Sequence, residues 1–140
     1  MTLERIVIEP QVEATAVVVW LHGLGDSGAG FAPVVPALGL PADHSIRFIF
    51  PHAPERPVTA NQGMVMPAWY DILALSVPRE IDLSSFAHAC AQITALIRRE
   101  MKRGVAPGRI VLAGFSQGGA VALHTAFTFP QALAGVMALS

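Results

Sequence analysis

The hexapeptide Gly114-Phe115-Ser116-Gln117-Gly118-Gly119 restricts this chain more than any other stretch of it. It follows the apolar run IVLA and precedes AVALHTAF, which reads as a helix. A G-x-S-x-G turn between strand and helix holds its serine on a sharp, strained bend and lifts the side chain clear of the sheet. Gly114 and Gly118 fit there because a β-carbon at either position would crowd the bend. The helix behind Ser116 opens with free N–H groups and the positive end of its dipole. Strands alternating with helices along the chain predict an α/β fold with a parallel sheet.

The remaining segments agree. Residues 16–21 (AVVVWL) are a continuous apolar run, as a central parallel strand covered on both faces requires. Residues 5–9 (RIVIE) predict a short edge strand bounded by Pro10, and residues 46–50 (IRFIF) a strand stopped by Pro51-His52-Ala53-Pro54. Residues 31–38 predict a short helix limited by Pro33 and Pro36. Residues 82–103 predict the longest helix, with Phe86, Cys90, Ile93, Ile97 and Met101 on one stripe. Asp82 caps its start, Lys102 and Arg103 suit its end, and Gly104 with Pro107 stops it. A second helix is predicted over 117–127 and a last strand over 133–139 (LAGVMAL). Between residues 55 and 78 the pattern weakens. A long irregular stretch in a compact domain is usually functional. All 140 residues are expected to form a single domain.

Composition excludes several classes. Net charge is −1 and only 14% of residues are charged, so there is no electrostatic footprint for nucleic acid or anionic lipid. Cys90 is the one cysteine and cannot form an internal disulfide. With no signal-peptide pattern and no apolar run near the roughly 20 residues of a membrane span, a cytoplasmic protein without stable membrane insertion is expected. Five dispersed histidines and one cysteine show no metal-ligand spacing, so no metal is expected.

The loop after residues 16–21 contains Gly23-x-Gly25-x-x-Gly28, which fits two chemistries. A dinucleotide site needs an acidic residue about 20 positions on, at the end of the next strand. That strand ends in Pro51-His52; Asp43 precedes it and Glu55 lies beyond the turn. A nucleophilic serine instead needs two N–H donors for an oxyanion, one from the residue after it and one from a loop behind an earlier central strand. Gln117 and Leu24 meet that requirement, so the loop reads as an oxyanion loop.

The segments LHGLGDSG, FIFPHAPERPVTANQGMVMPAWYDI, GFSQGGAVALHTA and GVMALS, in this order, resemble the phospholipase/carboxylesterase family of serine hydrolases, which includes acyl-protein thioesterases. The resemblance runs from about residue 16 to 140. It implies an α/β-hydrolase fold, a mostly parallel central sheet with helices on both faces. It also implies hydrolysis of carboxylic esters or thioesters, from small molecules or acylated proteins, by a Ser-His-Asp triad without a cofactor. On that likeness Ser116 is the nucleophile, the Leu24 and Gln117 amides form the oxyanion hole, and Met66 and Trp69 line an apolar acyl site. For Trp69, core packing is the alternative reading.

One feature departs from the family. α/β-Hydrolases order the triad Ser, acid, His. After Ser116 the sequence has no Asp or Glu, and its one later histidine, His124, lies eight residues on, roughly 12 Å along the helix from the bend. His124 is therefore not expected to be the base. The family's acid and histidine lie on loops past its last two strands, which are absent from this sequence, so the domain is expected to be incomplete at its C-terminus. Three readings follow: an esterase or thioesterase when complete; a catalytically incomplete fragment that persists by association with a missing segment or as a homodimer; and, least favoured, a nucleotide-binding module. His22 is read as packing its loop, His52 as holding its turn, His44 and His88 as surface positions, Cys90 as a packed thiol and Asp71 as a brace for the irregular stretch.

Overall fold

The computed structural model describes residues 3–140. Its centre is a five-stranded sheet built from β1 (Arg5–Ile8), β2 (Ala16–Leu21), β3 (Ile46–Pro51), β8 (Ile110–Phe115) and β9 (Gly135–Leu139), in the order β1-β3-β2-β8-β9. Neighbours in β3-β2-β8-β9 run parallel, and only the edge strand β1 is antiparallel. Two small antiparallel ladders, β4 (Glu55–Val58) with β5 (Met64–Pro67) and β6 (Ile72–Ala74) with β7 (Glu80–Ile81), fill the stretch that reads as irregular in the sequence. Residues 31–38 do not form one helix. The chain instead makes two single turns, α1 (Gly28–Phe31) and α2 (Val34–Ala37), because Pro33 and Pro36 remove the N–H groups that would join them.

Side-chain alternation along the strands divides the interior in two. Val17, Val19 and Leu21 of β2, Ile49 of β3 and Leu112 of β8 face α3 (Leu83–Lys102) and α4 (Gln117–Thr128). Trp20, Phe48, Phe50 and Ala113 face the opposite way, against Phe31, Val34 and Val35. On that second face the Trp20 ring lies 5.5 Å from Phe31 and 6.3 Å from Phe50.

The cap predicted for the long helix is present: the Asp82 carboxylate accepts from the Ser85 amide at 3.0 Å. Ala89, Cys90, Ile93, Leu96 and Ile97 of α3 are buried. Each large aliphatic side chain among them contributes about 2 kcal/mol by leaving water, more than any helix propensity supplies. Cys90 is packed as expected, and burial pushes its thiol pKa up. Among the described residues no helix is long and apolar enough to cross a membrane.

Candidate active site

Parallel register brings the chemistry to one end of the sheet. Leu21 at the end of β2 pairs with Gly114 near the end of β8, so the Gly23–Asp26 loop and the serine turn emerge side by side. Ser116 has φ 54° and ψ −113°, a conformation that non-glycine residues avoid. It is exposed, and its amide donates to the Leu139 carbonyl at 2.7 Å, which anchors the bend to β9. A β-carbon on Gly114 would overlap the Gly118 backbone. One on Gly118 would fall 2.5 Å from the Leu21 and His22 carbonyl oxygens. These two glycines therefore let the first turn of α4 seat directly on the end of β2, although glycine costs roughly 1 kcal/mol inside a helix.

The loop itself is a tight turn. The Asp26 amide donates to the Gly23 carbonyl at 3.2 Å, and Gly25 adopts φ +79°, the left-handed conformation glycine supplies at the third position of such a turn. The Gly25 amide is spent on the Pro67 carbonyl at 2.9 Å. Between them, the Leu24 amide donates to no backbone acceptor among the described residues. Gln117 is the first residue of α4, so its N–H belongs to the turn that a helix leaves unbonded. Two unspent amides thus flank the serine turn, as an oxyanion site requires.

His22 holds the loop in shape. It is 1% exposed; Nδ1 donates to the Gly23 carbonyl at 2.7 Å and Nε2 accepts from the Ala53 amide at 3.0 Å. Both nitrogens are therefore committed, and burial, only partly opposed by the Gly23 bond, keeps its pKa below the usual histidine value. This matches the packing role read from the sequence. His52 reaches further than its own turn, accepting from the Gly28 amide at 3.0 Å. His88 is exposed, and His124 is exposed on α4 with its ring 5.2 Å from Phe86. His44 is partly covered and accepts from the Ile46 amide. Asp71 is the brace expected: its two oxygens take the Thr59 amide at 2.8 Å and hydroxyl at 2.6 Å.

Trp69 is fully buried. Its ring lies 5.2 Å from His22 and its indole N–H donates to the His22 carbonyl at 2.8 Å, so core packing is what its placement shows. Met66 is half-buried beside the loop, with its sulfur 3.9 Å from where a Gly25 β-carbon would stand. Sequence reasoning missed the Gln117 side chain. It is buried, accepts from the Trp69 amide at 2.7 Å and donates to the Tyr70 carbonyl at 2.7 Å, clamping the 69–70 segment to the serine turn.

Comparison with known proteins shows the family. The family model described as Phospholipase/Carboxylesterase matches residues 3–140. Acyl-protein thioesterase 1 of Schizosaccharomyces pombe is 42% identical over 135 residues, which are 96% of this chain and 59% of that protein. The crystal structure of Arabidopsis thaliana SOBER1 superposes with a TM-score of 0.81 at 36% identity, covering 86% of this chain and 59% of that one. Zea mays acyl-protein thioesterase 2 also gives 0.81, at 31% identity over 98% of this chain and 61% of its own. The chain thus spans about three fifths of the length of these relatives. A turn-borne serine, a glycine loop beside it and a family match over nearly every residue lead to one conclusion: this chain belongs to the phospholipase/carboxylesterase family and carries its α/β-hydrolase fold.

Proposed function

We propose that this chain is the nucleophile-bearing part of a serine hydrolase acting on carboxylic esters or thioesters. The observation that carries the reading is the strained Ser116 bend held against a loop with an unspent amide. In this mechanism the Ser116 Oγ attacks the acyl carbonyl carbon while its proton passes to a histidine supplied from outside these residues. The Leu24 and Gln117 N–H groups stabilise the oxyanion as it forms. Collapse expels the thiolate or alkoxide, which takes the proton and leaves an acyl-serine. Water, deprotonated by the same histidine, then attacks the acyl-enzyme and releases the carboxylic acid. Met66 forms part of the acyl wall. Contact between an acyl chain and Trp69 would require the ring to be uncovered. The thioesterase relatives favour an acylated protein or a small thioester as substrate. Fluorophosphonate labelling of the complete natural polypeptide tests the assignment: an adduct on the peptide holding Ser116 supports it, and an adduct confined to another serine refutes it.

A second reading concerns the 140 residues alone. Phe115, Met137 and Leu139 are 37%, 44% and 42% exposed on one face of β8 and β9, and β9 pairs only with β8 among the described residues. An open apolar strand edge seeks another strand. We propose on that ground that these residues taken alone associate through the β9 edge, with another strand or with a second copy.

A further inference from the structure

Two histidines cross between the ends of neighbouring strands. His22 follows β2, and its Nε2 accepts from the amide of Ala53, just past β3, at 3.0 Å. His52 follows β3, and its Nδ1 accepts from the Gly28 amide, at the start of α1, at 3.0 Å. Residues 23–27, the glycine loop with the Leu24 amide, lie between these two crossings. A third tie holds the middle of the loop, where the Gly25 amide donates to the Pro67 carbonyl at 2.9 Å.

Behind the loop lies a cavity of about 460 Å³, walled in part by Ser27, His52, Ala53 and Pro67. Three of these residues supply the ties just described, so on this side bonds rather than packed side chains hold the loop. The His52 ring is itself fixed. Its backbone amide donates to the Glu4 carbonyl, just before β1, at 2.8 Å. Gly28 sits so close that a β-carbon there would stand 3.1 Å from the ring and overlap the Phe50 carbonyl. The direction of the Gly28 bond also sets the ring's chemistry. An amide donates only to a lone pair, so the ring is neutral, with its proton on Nε2.

We infer that His52 is a positioning residue for the proposed hydrolysis, an inference resting on the reading of Ser116 and Leu24 as catalytic groups. Through the Gly28 amide it fixes the far end of the glycine loop and with it the aim of the Leu24 N–H at the forming oxyanion. An oxyanion donor acts on charge that appears in the transition state, so loosening the tie lowers kcat and leaves substrate affinity nearly unchanged.

The test uses thioester hydrolysis by the complete natural polypeptide. His52→Leu removes the acceptor, and His52→Asn keeps a carboxamide oxygen near the place of Nδ1. Circular dichroism checks that each variant folds, and amide exchange at Gly28 reports the tie. In His52→Leu, kcat is expected to fall about tenfold or more, with KM within about threefold of wild type and faster exchange at Gly28. His52→Asn is expected to recover most of kcat. Should His52→Leu not fold, His52→Gln takes its place, because its carboxamide lies nearer the place of Nε2. Unchanged kcat without the acceptor, a raised KM in place of a lowered kcat, or His52→Asn as slow as the variant lacking the acceptor overturns the inference. Fluorophosphonate labelling of the wild type separates the two readings. With Ser116 labelled, any of those results removes the role of His52 alone; with no label on Ser116, the proposed reaction falls and the inference with it.

Discussion

Ser116 holds a backbone conformation that costs of order 1–3 kcal/mol for a side chain with a β-carbon. Relieving it should separate stability from chemistry: Ser116→Gly is expected to lose fluorophosphonate labelling while urea unfolding shows no loss of stability, or a gain of up to about 1 kcal/mol. A marked loss of stability would count against strain at this bend. His22 gives a pH signature. Its folded pKa is depressed, so the unfolded chain binds its proton first as pH falls, and the stability His22 contributes is present above about pH 6.5 and lost as pH drops through the folded value. Urea midpoints between pH 7.5 and 5.5 should decline, and the decline should flatten in His22→Gln; an unchanged slope in that variant would remove His22 as its source. At this scale the motifs were informative, because Ser116, Gly114 and Gly118 are dictated by sterics within a few residues. The Gln117 side chain was not legible, since its partners are backbone groups 47 and 48 residues away.

At the level of elements, the tight seat of α4 on β2 makes a sharper claim than helix propensity does. Gly114→Ala should destabilise the chain by about 1–3 kcal/mol in urea unfolding, because the added methyl overlaps backbone rather than a movable side chain. Gln117→Leu removes both bonds of the clamp and leaves two buried backbone groups unpaired, at about 1–3 kcal/mol each. Faster amide exchange at Trp69 would report that opening; unchanged exchange there would contradict the clamp. The long helix and the central strands were readable because length and apolar periodicity agree. The ladders of β4 to β7 were hidden because their strands are two to four residues long and carry Pro57 and Pro67, which erase any alternating pattern. Residues 31–38 read as one short helix limited by Pro33 and Pro36, but the two prolines go further and divide the segment into two single turns.

Across the whole molecule, function depends on which strand ends meet. Parallel pairing of β2, β8 and β9 gathers the glycine loop, the serine bend and its Leu139 anchor at one end. The open edge at β9 predicts that the 140 residues purified alone elute above the 14.8 kDa of a monomer in size-exclusion chromatography, and that Met137→Lys shifts them toward it. A well-behaved monomer with unchanged elution in the variant would contradict that reading. The fold class followed from the sequence because alternating strands and helices leave few topologies, whereas the open edge became concrete only once strand order was known. The central claim is that Ser116 is the nucleophile. Its most direct test is thioester hydrolysis by the complete natural polypeptide, wild type against Ser116→Ala, with circular dichroism confirming the fold. The expected result is loss of all but a trace of activity in a folded variant; a folded Ser116→Ala protein that still hydrolyses at more than a few per cent of the wild-type rate would contradict it.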